Sequence, residues 1–169
     1  VSITDGDSTP SLTDNTDFGP AITGTPITKT YTIYNTGTDN LTVGAITIPD
    51  ATNFSYTNPV STTIAAGGNT TFTITFTPAS TGVKNTTFSI VTNDSDENPY
   101  NFSITGTGSI PPEINIQANS TNIVDGATGT STGNRTDFGS TNTGTPVTYT
   151  YTILNAEATG PLTLGAITL

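Results

Sequence analysis

The sequence Thr16-Asp17-Phe18-Gly19 organises the whole chain, because it recurs as Thr136-Asp137-Phe138-Gly139 after 120 positions. The residues that follow recur at the same spacing: Gly24-Thr25-Pro26 as Gly144-Thr145-Pro146, Tyr31-Thr32-Ile33 as Tyr151-Thr152-Ile153, and Asn35 as Asn155. After one inserted residue, Leu41-Thr42 and Gly44-Ala45-Ile46-Thr47 return as Leu162-Thr163 and Gly165-Ala166-Ile167-Thr168. A fixed period is typical of repeated modules. We therefore predict a tandem repeat with a period of about 120 residues.

The composition favours a folded all-β protein. Hydrophobic residues make up only 31% of the chain, which is low enough to consider disorder, but charged residues make up only 9%. Disordered chains typically combine low hydrophobicity with a high density of charge. Here the apolar residues alternate with threonine, whose β-branched side chain suits the exposed face of a strand.

Alternation with a period of two predicts about seven short strands in residues 1–109. The clearest is Pro26–Asn35, in which Ile27, Tyr31 and Ile33 share one face. Phe18 interrupts a polar loop, and we expect it in the core. The other predicted strands are Val1–Thr4, Leu41–Ile48, Asn53–Thr57, Thr70–Thr77, Val83–Thr92 and Pro99–Thr107. With no helical periodicity present, the pattern predicts an immunoglobulin-like antiparallel β-sandwich.

The repeat divides the chain into residues 1–109, a proline-rich linker at 110–112, and residues 113–169 as the N-terminal half of a second, incomplete copy. The second copy begins with a predicted strand, Glu113–Gln117, whose counterpart in the first would precede Val1. It continues with Pro146–Leu154 and Leu162–Leu169. Half a sandwich exposes an apolar face and unpaired edges. We expect completion either by more of a longer polypeptide or by strands of a neighbouring chain in a polymer.

Several classes of function are disfavoured by composition. The chain has no cysteine, so it forms no disulfide or thiolate metal site. Three basic residues against 13 acidic ones give a net charge of −10, which disfavours nucleic acid and anionic membranes as partners. No apolar run approaches the roughly 20 residues needed to cross a bilayer. Histidine is also absent, and paired carboxylates occur only in predicted loops, so we predict no catalysis and no cofactor.

Two acidic loops are candidate calcium sites. Asp94, Asp96 and Asn98 place oxygen ligands at alternate positions, as in calcium-binding loops, although the same residues also favour turns for local reasons. Asp5 and Asp17 form a second candidate with Asp7 and Asp14. In the repeat, Asp5 and Asp17 become Asp125 and Asp137, while the other two become Ala127 and Asn134. The retained pair therefore favours a structural role such as capping main-chain amides.

Surface modification and ligand binding are further hypotheses. Candidate glycosylation sites are Ser8, within Asp7-Ser8-Thr9, and the Asn-x-Ser/Thr residues Asn40, Asn69 and Asn85. Tyr34 and Tyr100 are out of phase with the apolar face or lie at a strand start. Such tyrosines could bind a glycan or other surface ligand, or could simply pack on the surface.

Six segments form an ordered set of motifs: Thr16–Gly19, Tyr31–Leu41, Ala65–Phe72, Thr75–Gly82, Thr92–Tyr100 and Thr105–Gly108. In these segments the chain resembles the bacterial choice-of-anchor D domain, an immunoglobulin-like module related to the ASPM/SPD-2/Hydin group. The resemblance covers nearly all of residues 1–109 and the available part of 113–169. It implies tandem placement in large secreted or surface-anchored bacterial proteins, and is tied to no single ligand or reaction.

The combined expectation is a non-catalytic structural repeat of an extracellular bacterial surface filament, stalk or adhesin. Its partners would be neighbouring repeats of the same polypeptide or identical subunits in a fibre. The alternative is a binding module, either an adhesin tip or a carbohydrate-binding accessory domain of a secreted enzyme. Further copies of the repeat beside this segment would favour the first, and an adjacent catalytic domain the second.

Overall fold

Eleven β-strands make up the regular secondary structure of the computed structural model, which describes residues 1–156 and 160–168. The chain divides into two units, Val1–Ser109 and Ile110–Leu169. No helix in the described ranges is long and apolar enough to cross a membrane. The strands are β1 Asp17–Ile22, β2 Ile27–Tyr34, β3 Leu41–Thr47, β4 Phe54–Tyr56, β5 Thr63–Ile64, β6 Asn69–Phe76, β7 Gly82–Thr92, β8 Tyr100–Ser109, β9 Ile114–Ala118, β10 Thr121–Ile123 and β11 Thr152–Asn155.

The first unit is a sandwich of two sheets, which confirms the predicted all-β fold. One sheet has the strand order β1-β8-β7-β3-β5, and the other has the order β2-β6-β4. Every pair is antiparallel except β1 with β8, which run parallel. The parallel pair arises because the chain runs alongside β8 before it crosses to β2 in the other sheet. An isolated parallel bridge between Asp7 and Phe102 lies at the start of this contact.

The core lies where the alternating residues of the two sheets meet. Phe72, Ile74 and Phe76 of β6 are buried, and so are Phe88 and Ile90 of β7 and Phe102 and Ile104 of β8. The Phe72 and Phe88 rings stack with centroids 5.1 Å apart, and Phe88 lies 5.3 Å from Phe102. Aromatic pairs of this kind stabilise beyond the area they bury. Phe18 is also buried, as expected.

The second unit contains one small sheet in the order β10-β9-β11. Among its described apolar residues only Ala118 is fully buried. The large hydrophobic residues that are exposed are Ile114, Val124, Phe138, Tyr151, Leu154, Leu164 and Ile167.

Three predicted strands are wrong in extent. Val1–Thr4 is irregular, Pro146–Leu154 is reduced to Thr152–Asn155, and residues 162–168 of the predicted Leu162–Leu169 form no strand. Leu169 lies outside the described residues. A strand needs a ladder partner to satisfy its main chain. In the first unit β6 and β7 supply this partner to β2 and β3, and no described residue of the second unit takes that role.

Candidate functional site

The repeated loop before β1 is built around the buried hydroxyl of Thr16. This oxygen accepts a hydrogen bond from the Ser11 amide at 2.8 Å and donates to Asp14 Oδ1. The Asp17 amide donates to Ser11 O at 2.9 Å, which closes the loop. Thr16 is fully buried, so its hydroxyl has no access to water. The bonds with Ser11 and Asp14 satisfy its hydrogen-bonding capacity instead.

The second unit reproduces the same loop. The Ser131 amide donates to Thr136 Oγ1 at 2.8 Å, and that hydroxyl donates to Asn134 Oδ1 at 2.7 Å. The Asp137 amide donates to Ser131 O at 3.1 Å. Asn134 replaces Asp14 and keeps the bond, because an amide oxygen accepts as a carboxylate does. The loop therefore needs an acceptor at this position and does not need a charge.

The acidic residue of each Thr-Asp-Phe-Gly sequence caps the main chain. Asp17 Oδ1 accepts from the Gly19 amide at 2.7 Å, and Asp137 Oδ1 accepts from the Gly139 amide at 2.8 Å. Both glycines have positive φ, 70° and 67°, a conformation that favours glycine. Asp5 Oδ1 likewise accepts from the Asn101 amide at 2.7 Å. These bonds give Asp5 and Asp17 the amide-capping role expected from the sequence.

The tyrosine that follows the loop anchors it in both units. Tyr31 Oη donates to Asn15 O at 2.8 Å, and Tyr151 Oη donates to Arg135 O at 2.8 Å. Asn15 and Arg135 both have positive φ. Burial raises the pKa of the Tyr31 hydroxyl, and the charge of Asp14 raises it further. The Tyr31 hydroxyl is therefore protonated at physiological pH and acts as a hydrogen-bond donor.

The one basic residue beside this loop, Lys29, is also used structurally. Its ammonium lies 5.0 Å from the centre of the Phe18 ring and donates to Asp17 O. Burial lowers the Lys29 pKa, while the charges of Asp17 and Asp14 oppose that shift. In the second unit Tyr149 stands at the position of Lys29, and its ring lies 5.0 Å from that of Phe138, the counterpart of Phe18. Arg135 lies 4.7 Å from the centre of the Tyr149 ring. Each loop thus has a cation over an aromatic ring, but from different residues, which favours packing over chemistry.

The candidate calcium loop between β7 and β8 contains adjacent acidic groups. The pKa of Asp94 is raised, chiefly by a side-chain hydrogen bond with Asp96 and then by burial and charge. Asn98 Oδ1 accepts from the Thr92 amide at 3.1 Å, a local turn bond. Across the described residues, no three acidic side chains converge closely enough to hold a metal ion. Calcium binding by Asp94, Asp96 and Asn98 stays a prediction.

A groove of about 710 Å³ opens at one edge of the first unit. Its lining includes Val1–Ile3, residues 30–37 of β2 and the following turn, and side chains of the facing sheet such as Val43, Ile90 and Phe102. Tyr34 is 66% exposed on its rim. The Tyr100 hydroxyl donates to Ile3 O, which fixes the N-terminal segment against the sandwich. The alternation of apolar residues does not predict this groove, because its position depends on the order of the strands in the sheets.

The four candidate glycosylation residues are exposed: Ser8, Asn40, Asn69 and Asn85. Their exposure leaves these side chains accessible to a modifying enzyme. Glycosylation at these residues stays a prediction.

Comparison with solved structures gives partial matches of low sequence identity. A protein of unknown function from Porphyromonas gingivalis W83 is 21% identical with a TM-score of 0.49, and the match covers 54% of this chain and 42% of that one. The PapD-like domain 7 of human CEP192 is 16% identical with a TM-score of 0.45, covering 57% and 83%. The secreted serine protease VesC from Vibrio cholerae is 14% identical with a TM-score of 0.45, covering 60% and 22%.

Comparison with curated proteins gives no match. Residues 11–107 match the family described as the HYDIN/CFA65/VesB-like Ig-like domain, which is more than half of the chain. The match begins in the Thr16 loop and ends in β8, so it spans the sandwich whose strands and core are described above. The chain belongs to the HYDIN/CFA65/VesB-like Ig-like domain family.

Proposed function

We propose that the chain is a non-catalytic structural repeat of an extracellular bacterial surface filament, stalk or adhesin, of the choice-of-anchor D type. One observation carries the proposal: the residues shared by the two copies are those that hold the loop and the core together. The acceptor for Thr16, the cap of Gly19 and the tyrosine anchor recur with near-identical distances. Charges vary at the same time, as Asp14 becomes Asn134.

An active site would conserve the chemical identity of its charged side chains between the two copies. A general acid, base or nucleophile must keep its chemical identity, whereas a scaffold needs only shape and hydrogen-bonding capacity. Lys29 changes to Tyr149, and Asp7 to Ala127, with the loop preserved. The immunoglobulin-like fold is not itself a catalytic one, and a function would have to be argued from a site. The groups described here are committed to main-chain hydrogen bonds and packing.

The surface composition suits a role outside the cell in an array. A net charge of −10 with threonine-covered strands keeps neighbouring sandwiches soluble and discourages edge-to-edge aggregation. The prolines at 111 and 112 have fixed φ and would stiffen a linker between repeats.

Immunogold electron microscopy of the source cells tests this proposal. Antibodies raised against residues 1–109 should label unpermeabilised cells along surface fibres, at several positions on each fibre. Label confined to the cell interior would contradict it. Label at fibre tips alone, together with selective binding on a glycan array, would favour the alternative of an adhesin tip or carbohydrate-binding module.

A further inference from the structure

The chain before β2 runs along strand β8 in the same direction as β8. β1 is paired parallel with β8, and the segment before β1 makes further main-chain bonds to the beginning of β8. In order along β8, the printed bonds are Gly6 N–H to Asn101 O at 2.8 Å, Ser103 N–H to Asp7 O at 2.7 Å, Thr105 N–H to Thr16 O at 3.0 Å and Thr23 N–H to Ser109 O at 2.9 Å. The parallel contact therefore follows β8 from its beginning to its end.

Tension along the chain loads this pair in shear. The chain enters β1 at Asp17 and leaves β8 at Ser109. Asp17 lies opposite Thr105 and Ile22 lies opposite Ser109, so the points of entry and exit are at opposite ends of the ladder. A force along the chain therefore draws β1 and β8 in opposite directions along their common axis. All bonds of the ladder then bear the force together, whereas strands pulled from one end separate bond by bond.

β8 is held more firmly on its other side. Its ladder with β7 is continuous, from Gly82 opposite Gly108 to Ile90 opposite Tyr100. Its ladder with β1 is shorter and contains a register shift. β1 is at the end of its sheet, and among the described residues β8 is its only ladder partner. Under tension we therefore expect the first rupture between β1 and β8.

Side chains oppose the sliding of β1 along β8. Phe18 and Ala21 are buried, and the Phe18 ring lies 5.8 Å from the Phe54 ring and 5.9 Å from the Phe76 ring. Ser109 Oγ also donates to Ala21 O at 3.0 Å. A slip of one residue turns every side chain of a strand to the opposite face of the sheet. Sliding would therefore remove Phe18 from the core at the same time as it breaks the ladder.

We propose that the parallel pair of β1 and β8 is a mechanical clamp, which bears tension applied along the chain and protects the rest of the sandwich from it. Resistance to forced unfolding depends on the unfolding rate and not on the equilibrium stability. A clamp whose bonds must break together raises the barrier for this process. The inference deepens the proposed function and rests on it, since a module in a surface fibre is under tension.

Single-molecule force spectroscopy of the full chain at constant force tests the clamp. The chain has no cysteine, so two introduced cysteines attach the handles at defined positions. Handles at Val1→Cys and Pro112→Cys, both exposed positions, load the clamp in shear. Handles at Thr25→Cys and Pro112→Cys leave β1 outside the loaded part of the chain and pull from one end of the sandwich, since Ile22 lies opposite Ser109. At equal force we expect unfolding to be at least about tenfold slower with the first attachment, because several hydrogen bonds must break together.

Thr23→Pro removes one bond of the clamp and keeps the turn that follows β1. The Thr25 amide donates to Ile22 O at 2.8 Å, and Gly24 has a φ of 77°. These are features of a type II turn, in which proline is favoured at the second position, here Thr23. Proline lacks the amide that donates to Ser109 O. With handles at positions 1 and 112, Thr23→Pro should speed forced unfolding about fivefold, as expected for one hydrogen bond that breaks in the rate-limiting step. With handles at positions 25 and 112 it should have no effect.

The matched control is Val60→Pro, which removes one main-chain bond of the other sheet. The Val60 amide donates to Thr71 O at 3.2 Å, and the Val60 side chain is exposed. Val60→Pro should leave the rate of forced unfolding unchanged. Equal rates for the two attachments, or equal acceleration by Thr23→Pro and Val60→Pro, would overturn the clamp. If Thr23→Pro does not fold, the comparison of the two attachments decides alone. A negative result leaves the proposed function standing, because immunogold labelling tests that proposal independently.

Discussion

At the residue scale, the polar side chains that recur in the two copies bond otherwise unpaired main-chain groups. No buried polar side-chain atom in the described ranges lacks a hydrogen-bond partner. Asn35 illustrates the pattern, since its side-chain amide donates to Asp39 O at 2.7 Å and Ile64 O at 2.8 Å. Its Oδ1 accepts from the Gly37 amide at 3.0 Å. The Asn35 side chain therefore links the turn after β2 to strand β5 through hydrogen bonds.

Replacing Asn35 by alanine should destabilise the first unit by about 2–3 kcal/mol, because each buried group left without a partner costs about 1–3 kcal/mol. Urea denaturation followed by tyrosine fluorescence measures the change. The matched control is Asn155→Ala, since Asn155 is the exposed counterpart with one side-chain donor bond, to Gly160 O at 2.7 Å. It should cost less than about 1 kcal/mol. Equal effects of the two substitutions would contradict this assignment.

The glycines of Thr105-Gly106-Thr107-Gly108 are required by close packing. A Cβ on Gly108 would lie 2.1 Å from Ser80 O, and one on Gly106 would lie 2.5 Å from a Phe76 ring carbon. We predict that Gly108→Ala lowers the free energy of unfolding by about 1–3 kcal/mol or more, the usual cost of overpacking. Gly129→Ala, where a Cβ meets nothing within 4 Å, is the control and should leave the thermal midpoint unchanged. If Gly108→Ala left the free energy of unfolding unchanged, the prediction would be wrong, and the turn at Ser80 would have to move to make room for the added Cβ.

At the element scale, strict alternation made β2, β6, β7 and β8 predictable. β1 was missed because Gly19 and Pro20 interrupt its pattern, and such residues are tolerated only at a sheet edge. In β3, Val43 and Ile46 are both buried because the register shifts between them, so the period of two fails there. Residues 162–168 repeat the sequence of β3 without forming a strand. Local sequence thus places a strand only where a partner is present.

The candidate sites divide in the same way. Capping by Asp5 and Asp17 could be inferred, because comparing the two copies separated retained carboxylates from variable ones. The groove could not, since it depends on which strand edges the fold leaves unpaired. That property belongs to the sheet order and not to any short sequence.

The acidic loop between β7 and β8 should destabilise the fold at neutral pH. Burial raises the pKa of Glu97, and the charges of Asp94, Asp5 and Asp96 raise it further. A carboxyl whose pKa is higher in the folded state stabilises that state at low pH, and the effect is lost as pH rises through the folded pKa. Glu97→Gln should therefore stabilise slightly at pH 7 relative to wild type, with no gain below about pH 4.

Urea midpoints at the two pH values measure this difference. The part of the gain that comes from charge repulsion should be lost in 1 M salt, where the screening length falls to about 3 Å, so the stabilisation at neutral pH should become smaller. If Glu97→Gln destabilised the fold at neutral pH, the prediction would be wrong, and the Glu97 carboxylate would make a stabilising contact.

At the scale of the whole molecule, the two units share a loop design and differ in completeness of pairing. The first buries a continuous aromatic core, whereas the second leaves Phe138, Leu164 and Ile167 exposed. If the module is a structural spacer, repeats joined in series would form an extended array and would not collapse into one globule.

Small-angle X-ray scattering of proteins containing two, three and four copies of residues 1–120 tests this claim most directly. Each junction places Ile114–Ala118 just before the next Val1, at the spacing found within the chain. If the module is a structural spacer, the maximum dimension should grow by the same increment with every added copy. A radius of gyration that instead follows the compact scaling, with about the 0.38 power of chain length, would contradict it.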